Sequence, residues 1–551
     1  MTTSGASMPQ PTATPGTQPA RAGRRLWDGA HVPPLLVLPS LVVALLMLAP
    51  LVYLVLRTAQ AGPELFHLLW RDRTLMLIRN SLLLSATVTA ASAAIALPLA
   101  WLTVRTDLPG RRIWTVLTAL PLVIPSYVGG YVLIAALGPR GALQGVLEVI
   151  FGIERLPEIY GFFGAWLTLT LLSYPYVLLA VRSAMAQLDP ALEEAARSLG
   201  LGPWESFRRV TVPLLRPALL AGSLLVALYV LGDFGAVSLL RYDVFTRAIY
   251  NQYRGAFDRS LAAGLALVLV AMTGVVLALE ARARGRARYH RSTVGVSRPP
   301  TRVRLGRWTP LALAYCAAIV SVTLLIPIGV IIHWLIRGLR AGEPLWLVWS
   351  AALSSVSVSL AAAVVAVLAA APIALMAVRH PSTLSRVLER LSYLGYALPG
   401  IVVALALVFF GARYAPWLYQ TLGILLVAYI IRFLPQALAT LRAALLQVSP
   451  RVEEAARSLG HSPPRVWLRV TAPLTYPGIL SAGALIFLTV MKELPATLLL
   501  RPTGFDTLAT QVWSATAGGF WAQAAAPALL LILLSAVPMA VTAWREGKSD
   551  E

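Results

Sequence analysis

Apolar runs long enough to cross a lipid bilayer recur along the whole chain. Of its residues, 58% are hydrophobic and 13% are charged, whereas a soluble domain has roughly 45–50% apolar and about 25% charged residues. A transmembrane helix needs about 20 predominantly apolar residues. The sequence therefore predicts an all-α polytopic membrane protein with about twelve transmembrane helices. Their approximate spans are 33–56, 80–104, 113–137, 162–184, 212–232, 260–280, 310–336, 351–378, 391–411, 418–441, 474–491 and 521–544.

The net charge of +22 could indicate nucleic-acid binding, but the distribution of Lys and Arg favours another interpretation. If the N-terminus is cytoplasmic and twelve helices alternate, the cytoplasmic segments hold 30 of the 46 basic residues and the opposite side holds 15, with Arg432 inside a span. The acidic residues divide almost evenly, 13 to 11. A bias confined to Lys and Arg is the positive-inside pattern. It predicts cytoplasmic N- and C-termini and no nucleic-acid partner.

The first apolar run is about 24 residues long, against the 7–15 of a signal-peptide core, so we interpret it as an uncleaved helix. The polar N-terminal residues favour disorder. A single cysteine, Cys316, excludes a disulfide within the chain.

An internal repeat divides the chain into two halves. Residues 193–200 recur identically at 453–460, an offset of 260, and Pro98-x5-Val104-Arg105 corresponds to Pro372-x5-Val378-Arg379. Each half has six predicted crossings, an even number, so the halves are parallel repeats with a translocation path between them. The predicted segments are a disordered cytoplasmic N-terminus at 1–32, a first half at 33–280, an Arg-rich cytoplasmic linker at 281–309, a second half at 310–545 and a tail at 546–551.

The repeated octapeptide lies between the fourth and fifth spans of each half, on the predicted cytoplasmic side. Its chemistry predicts a short surface helix with Asp189 or Ser449 as N-cap, two glutamates near the positive end of the helix dipole, and a glycine suited to a left-handed C-cap. The small side chains of two adjacent alanines leave a surface that another protein can approach closely. The two copies supply Glu193, Glu194, Ala195, Ala196 and Gly200, and Glu453, Glu454, Ala455, Ala456 and Gly460.

This pattern resembles the signature loop of ATP-binding-cassette (ABC) importer permeases. It reads Glu194-Ala195-Ala196, Gly200, Val210, Val212-Pro213 in one copy and Glu454-Ala455-Ala456, Gly460, Val470, Ala472-Pro473 in the other. Ala472 is smaller than the aliphatic residue usual there. In that family the loop is a coupling helix that docks in a cleft of a cytoplasmic ATPase, and the alternative is an ordinary amphipathic connector. The resemblance implies a type I importer permease in the bacterial inner membrane, contacting lipid, two ATPase subunits that form a homodimer, and a periplasmic or extracellular substrate-binding protein.

The chain itself is not predicted to hydrolyse ATP. A phosphate-binding loop needs G-x-x-x-x-G-K-[ST], and the chain has two lysines, Lys492 and Lys548. Gly547-Lys548-Ser549 has Thr542 where the first glycine is required. We therefore predict a permease that is not an enzyme and binds no cofactor, with ATP and Mg²⁺ used by the partner ATPase.

Four ionisable residues are candidates for the translocation path. Asp233 matches Glu493 at the offset of 260, at the ends of the fifth and eleventh spans, and Lys492 precedes Glu493. Arg432 lies within the tenth span. Ionisable groups at such depths tend to face protein or water. The alternatives are polar helix ends at the outer interface and, for Arg432, a structural role at carbonyls freed by Pro435.

The stretch 492–507 resembles the fused ferric-iron permeases of bacterial importers. That resemblance implies import of ferric iron delivered by a periplasmic ferric-binding protein, so the permease itself needs no metal site. Thiamine, phosphonate-type compounds and polyamines are alternative substrates within the same class. An ion-gradient-driven secondary transporter or channel is the alternative of another class, disfavoured because the charges gather at loops.

Overall fold

The computed structural model describes residues 33–60, 71–138, 141, 148, 152, 158–255, 260–284, 303–343 and 346–548. Across these ranges the protein is helical, with one isolated β-bridge between Thr106 and Val303. The all-α prediction is confirmed. The predicted N-terminal segment 1–32, linker residues 285–302 and the last residues of the tail, 549–551, lie outside the described residues.

The helices of the two halves follow each other in the same order. The first half contains α1 (Pro34–Gln60), α2 (Asp72–Arg105), α3 (Arg111–Leu117), α4 (Ser126–Leu137), α5 (Phe162–Ala186), α6 (Pro190–Ser198), α7 (Val212–Gly232), α8 (Gly235–Leu239), α9 (Phe245–Gly255) and α10 (Ser260–Arg284). The second contains α11 (Thr309–Val320), α12 (Ile326–Arg340), α13 (Trp346–Arg379), α14 (Thr383–Ser392), α15 (Gly400–Tyr414), α16 (Leu422–Gln447), α17 (Pro450–Ser458), α18 (Ala472–Met491), α19 (Pro495–Leu500), α20 (Leu508–Ala517) and α21 (Trp521–Lys548).

Nine helical segments in the described ranges are long and apolar enough to cross a membrane, or up to eleven if each of two bent pairs counts as one span. The last predicted run, 521–544, begins with a shorter apolar helix, Trp521–Ala536. Helix α21 continues past the predicted domain boundary at 545. Every predicted run thus falls on an apolar helix or a bent pair.

The third and ninth spans are not the single helices that their apolar runs suggested. Each bends sharply, by 94° before α4 and by 104° before α15. Pro125 and Pro399 occupy the N-cap positions of these two helices, and the residues before them are extended, with ψ of 118° at Ile124 and 109° at Leu398. Proline disfavours a helical conformation in the residue before it. Both bends therefore place non-helical backbone between the two halves.

The first helix of each half packs on the opposite half. Helix α1 contacts α13, α14 and α15, and α12 contacts α4. Hydrogen bonds also tie the second half to the first; for example, the Tyr315 hydroxyl donates to the Ile95 carbonyl at 3.2 Å, and Trp334 Nε1 donates to the Ala135 carbonyl at 3.3 Å. The halves therefore form one interlocked body, and the α7 and α18 segments lie beside the space between them.

Candidate functional site

The two octapeptides form matching short helices, α6 and α17. The Asp189 carboxylate caps α6 by accepting from the Ala191 amide at 3.0 Å, as predicted. Ser449 occupies the equivalent position in α17, where its side chain makes no capping hydrogen bond to the described residues. Each helix leads through a short turn into a π-helical segment, Phe207–Thr211 or Trp467–Thr471, and then into α7 or α18. Each short helix is thus joined to a membrane-spanning helix by a turn and a further helical segment.

Both octapeptide helices end in the left-handed glycine that the sequence predicts. The φ angles are +91° at Gly200 and +85° at Gly460. The Gly200 amide donates to the Arg197 carbonyl at 2.9 Å, and the Leu201 amide donates to the Ala196 carbonyl at 3.2 Å. The second copy repeats this pair of bonds with nearly equal lengths. This is a Schellman cap, in which a residue with a side chain is disfavoured at the glycine position.

Each octapeptide presents one face to solvent and buries the other. Glu194, Ala195 and their counterparts are exposed. Ala196 and Ala456 are buried, at 6% and 7% exposure. Of each alanine pair predicted to be open to another protein, only the first alanine is therefore accessible. Sequence reasoning missed the apolar side chains beside it. They are Leu192, Leu199, Val452 and Leu459, the two leucines that follow Ser198 and Ser458 being 84% and 80% exposed.

The first glutamate of each octapeptide points into the protein, where it contacts an arginine and a threonine, and not only toward the N-terminal amides of its own helix. Glu453 Oε1 accepts from Arg379 Nε at 3.0 Å and from the Thr471 hydroxyl at 3.1 Å. Glu193 Oε1 accepts from the Thr211 hydroxyl at 2.7 Å and lies 3.2 Å from Arg105 Nη2. The repeated Pro-x5-Val-Arg pattern was the sequence signal for these arginines, because it places an arginine at the end of α2 and of α13.

The two arginine–glutamate contacts, Arg379–Glu453 and Arg105–Glu193, differ in strength. The Arg379 guanidinium also donates to the carbonyls of Leu445 and Val448, at 3.3 and 3.0 Å. Arg105 is 3% exposed, yet its guanidinium nitrogens make no hydrogen bond to the described part of the chain. Its contact with Glu193 is an ion pair without hydrogen-bond geometry. The second octapeptide helix is therefore held more firmly than the first.

A cavity of 270 Å³ lies between the halves and brings together all four ionisable residues that the sequence proposed for the path. Both bent spans contribute to it, through Pro125 and Pro399, as do α7 and α18. The carboxylates are nearly buried, at 6% exposure for Asp233 and 5% for Glu493. The structure thus places the four residues at one cavity, and their role in translocation stays a prediction. The burial of the two carboxylates does not fit polar helix ends at the outer interface.

The two carboxylates make the same kind of contact in each half. Asp233 accepts from the backbone amides of Ala236 and Val237, at 3.1 and 3.4 Å, at the start of α8. Glu493 accepts from the amides of Ala496 and Thr497, at 3.1 and 3.0 Å, at the start of α19. A carboxylate at a helix N-terminus is stabilised by the unpaired amides and the dipole. The repeat therefore conserves a helix-capping acid at the cavity wall.

The cations of the cavity belong to the second half. Arg432 Nη1 pairs with Glu493 Oε1 at 2.6 Å, and Lys492 Nζ donates to the Leu122 carbonyl of the first half at 2.9 Å. A Cβ atom at Gly400 would overlap the Arg432 guanidinium, so a glycine at the start of α15 makes room for this ion pair. Arg432 thus faces the cavity, and the hydrogen bond that it makes within the described residues goes to Glu493.

Several cavity residues without charge were missed by the sequence reasoning. The Tyr127 hydroxyl is buried and has no hydrogen-bond partner among the described residues. Tyr176 and Tyr229 pack with ring centroids 5.6 Å apart, and at the same positions of the second half Thr489 donates to Gln436 Oε1 at 3.1 Å. Within the described ranges no group of three or more His, Cys, Asp or Glu side chains could hold a metal ion.

An interlocked pair of repeated membrane halves, with a polar cavity between them and a matched pair of exposed helices, defines the transmembrane subunit of an ABC importer. The chain belongs to the family of binding-protein-dependent transport system inner membrane components, whose sequence model matches residues 94–284 and 347–548. It is therefore a multi-pass permease rather than an enzyme, with an ATPase and a substrate-binding protein as the partners of its class. The two matched segments confirm the internal duplication.

Three relatives show how far the similarity extends. The "Fe(3+)-transport system permease protein FbpB 2" of Haemophilus influenzae is 35% identical over 92% of this chain and 97% of its own length. The "Ferric transport system permease protein FbpB" of Actinobacillus pleuropneumoniae is 25% identical over 88% of this chain and 73% of its own length. The "Molybdenum transport system permease protein ModB" of Escherichia coli is 34% identical, over 36% of this chain and 91% of its own.

Proposed function

We propose that this permease imports ferric iron. The observation that carries the proposal is the similarity to the Haemophilus Fe(3+)-transport permease, which extends over 92% of this chain and includes both halves. A fused two-half architecture and both carboxylates of the cavity lie within a match of that length. The substrate is handed to the permease by a binding protein of the periplasm or cell exterior, and that protein rather than the cavity holds the metal tightly.

The cavity has the chemistry of a weak transit site. Asp233 and Glu493 place two carboxylates at its wall, while Arg432 and Lys492 supply two positive charges, so the formal charges cancel. Ferric iron is a hard cation, which oxygen ligands suit, but the carboxylate oxygens are already engaged by amides and by Arg432. A neutral cavity with engaged carboxylates can contact a cation or its complex briefly without enclosing it. Weak contact favours release toward the cytoplasm.

The exposed faces of α6 and α17 are the docking surfaces for two copies of a cytoplasmic ATPase. Each combines the exposed glutamate and alanine of its octapeptide with the exposed leucine before its glycine. Two similar surfaces fit two identical ATPase subunits, which bind and hydrolyse ATP with Mg²⁺. Both surfaces, the 281–309 segment and the two chain termini then lie in the cytoplasm, as the distribution of Lys and Arg predicts.

An oxyanion importer is the second candidate within the same class. It is favoured by the 34% identity to the Escherichia coli molybdenum permease and by the Lys492 ammonium group at the cavity. That similarity covers 36% of this chain, against 92% for the ferric relative. Lys492 is also engaged with a backbone carbonyl, so the observations favour iron.

The substrate is tested by uptake in cells that lack the chain and in cells that regain it. Radiolabelled ferric iron, molybdate, thiamine and a polyamine are compared side by side, and we expect restoration of iron uptake alone. The Asp233→Asn and Glu493→Gln double variant should lower iron uptake at least tenfold while binding the ATPase normally. Glu343→Gln, which changes a carboxylate outside the cavity, is the matched control. Restored uptake of another compound without iron would refute the substrate assignment and leave the importer class intact.

The orientation is tested by labelling single cysteines in a Cys316→Ala background with a membrane-impermeant thiol reagent. Arg307→Cys lies in the 281–309 segment and Trp417→Cys lies on the predicted opposite side; both native side chains are exposed. In intact spheroplasts Trp417→Cys should react, and Arg307→Cys should react after the membrane is opened. The reverse pattern would overturn the proposed orientation.

A further inference from the structure

Helix α14 lies across the membrane-spanning helices rather than along them. The segment Thr383–Ala397, which begins with α14, meets α15 at 104°. Helix α14 ends where the ninth predicted span, 391–411, begins, and three of its ten residues are charged. Charges at that density are costly in the hydrocarbon core of a bilayer. Because α15 continues the span, a helix nearly at right angles to it runs along the membrane surface.

The inner face of α14 packs on the ends of two membrane-spanning helices. Leu388 is 2% exposed and forms a small apolar cluster with Met376 of α13 and Ala44 of α1. Leu36, in the first turn of α1, and Leu391 of α14 pack against the same cluster. The first turn of a span marks the level at which the chain enters the membrane. Helix α14 is therefore held at that level.

The outer face of α14 combines apolar and basic side chains. Leu384 and Val387 are 43% and 46% exposed, and residues three apart share one side of a helix. Arg386 and Arg390, four residues apart, are also exposed. Exposed aliphatic residues beside arginines are typical of a helix in the headgroup region, whose apolar side reaches the acyl chains. The arginine stems follow that apolar surface while their guanidinium groups stay among the phosphates.

The first half repeats this arrangement on a smaller scale in α3. The two Pro-x5-Val-Arg patterns are 274 residues apart, and at the same offset Arg386-Val387 corresponds to Arg112-Ile113. Arg112 is exposed, and Ile113 is 63% exposed. The segment that begins with α3 meets α4 at 94°. Both halves therefore place an exposed arginine and an exposed aliphatic residue on a helix that lies along the membrane surface.

Each of these two helices is tied to the helix that leads into an octapeptide. Arg442 Nη1 of α16 lies 2.9 Å from Glu389 Oε1 of α14. Arg182 Nη1 of α5 donates to the Thr115 carbonyl of α3 at 2.9 Å. The arginines match at the offset of 260, and Glu389 matches Thr115 at 274, so the contact itself is repeated. Helices α14 and α3 thus lie at the octapeptide end of the protein, and the one acidic residue of α14 is already paired.

Lipid fits the exposed side of α14 better than the ATPase does. Leu35 and Leu38 of α1 flank Leu36, which packs against the cluster under α14, and they are 78% and 66% exposed. Exposed leucines in a membrane-spanning helix face acyl chains. The apolar side of α14 therefore lies at the level of residues that face lipid.

We propose that α14 lies in the cytoplasmic membrane interface and binds the headgroups of anionic phospholipids through Arg386 and Arg390, with Leu384 and Val387 among the acyl chains. Helix α3 is its smaller counterpart in the first half. This lipid site goes beyond the proposed function and is independent of the transported substrate.

The two arginines have the donors that a phosphate group requires. Arg386 donates to the Ser382 carbonyl at 3.3 Å and to the Thr383 hydroxyl at 3.2 Å, which uses two of the five N–H donors of a guanidinium group. Paired guanidinium donors suit phosphate oxygens. An arginine close to an anionic membrane surface strengthens association about fivefold. Two such arginines on one face of a helix therefore favour anionic over zwitterionic lipid.

The occupant is identified by photo-crosslinking in the permease–ATPase complex. The photoreactive residue p-benzoyl-phenylalanine replaces Val387, and the complex is reconstituted in vesicles of equal parts phosphatidylglycerol and phosphatidylcholine. Mass spectrometry should show adducts of residue 387 in which phosphatidylglycerol is enriched about fivefold or more. The same photoreactive residue at Leu353, a 70% exposed position of α13, should label both lipids to a similar extent. Both leaflets carry both lipids, so neither the orientation of the permease nor its substrate affects the result.

The arginines are tested with the photoreactive residue at 387. The Arg386→Gln and Arg390→Gln double variant should co-purify with the ATPase and label the two lipids about equally, and Arg390→Gln alone, which leaves the contacts of Arg386 in place, should give an intermediate ratio. Arg413→Gln removes an exposed arginine at the end of α15 and, as the matched control, should leave the enrichment unchanged. Equal labelling of the two lipids in the parent, an unchanged ratio in the double variant, an adduct with the ATPase, or no adduct would each overturn the proposal.

Discussion

The Arg379–Glu453 ion pair, which anchors the second octapeptide helix, should stabilise the docked position of that helix by several kcal/mol. In the Arg379–Glu453 pair the side chains are 9% and 7% exposed, and their closest approach is 2.9 Å. Glu453→Ala removes one partner of a buried ion pair, a change that costs about 3–5 kcal/mol. Because α17 is a surface segment of nine residues, the loss should appear as local undocking of α17 while the membrane helices stay assembled.

A cost of about 3 kcal/mol is more than a hundredfold in the docking equilibrium, since each 1.4 kcal/mol is about tenfold. We expect the backbone amides of α17 in the reconstituted permease to exchange hydrogen roughly a hundredfold faster in Glu453→Ala. Glu454→Ala, which changes the exposed neighbouring carboxylate, should alter exchange less than threefold. Uptake should fall in Glu453→Ala while membrane insertion is unchanged.

The first half provides the internal comparison. Glu193 is 17% exposed and meets Arg105 at 3.2 Å, with one hydrogen bond from Thr211. For the docking of α6, Glu193→Ala should therefore remove one hydrogen bond to a charged group, about 1.5–3 kcal/mol, and an ion pair without hydrogen-bond geometry. Exchange in α6 should accelerate less than exchange in α17 does for Glu453→Ala. Equal effects in the two halves, or a larger effect in the first, would refute the reasoning from anchor geometry.

Three further changes test other parts of the structure. Gly460→Val forces a β-branched residue to the left-handed conformation, at about 1–2 kcal/mol, and should reduce uptake and ATPase co-purification while the chain still inserts. Gly400→Ala crowds the Arg432 guanidinium and should cost about 1–3 kcal/mol by overpacking, seen as a lower Tm, whereas Gly483→Ala, in open space, should not lower it. Burial, and secondarily the charge of Arg457, lower the pKa of His380 in the folded protein. At low pH the unfolded chain therefore binds more protons than the folded protein. The free energy of unfolding should fall as the pH drops below about 6.5. His380→Gln should flatten that decline in Tm, and an unchanged decline would contradict it.

The sequence predicted most of the fold because the signals that set it are local. The lengths of the apolar runs predicted the spans, and the internal repeat predicted the two halves. Gly200 and Gly460 predicted the ends of the octapeptide helices, because a positive φ leaves few alternatives to glycine. The bends at Pro125 and Pro399 were missed, although proline carries the signal. An apolar run does not show whether the helix on the far side of a proline continues in the same direction or turns by about 90°.

The candidate sites were predictable in part, for a different reason. Asp233 and Glu493 stood out because charge is rare in apolar spans, but their partners lie far away in sequence, as Arg432 does from Glu493. The inward turn of Glu193 and Glu453 depends on arginines more than 70 residues upstream. Ala196 is buried and Ala195 is exposed because they lie on different faces of a short helix. Both are alanines, so the sequence does not show which of the two faces the rest of the protein.

Duplication and fusion explain why the two halves can differ at the cavity wall. In two identical subunits a substitution at one position alters both walls at once. In a fused chain, position 436 can become a glutamine while its counterpart at 176 remains a tyrosine, and the two walls can specialise. The same freedom applies to the arginines that hold the octapeptide helices: Arg379 has two carbonyl partners, and Arg105 has none among the residues that the structure describes. The more firmly anchored octapeptide helix and both cavity cations lie in the second half, so several differences between the halves fall on the same side of the cavity.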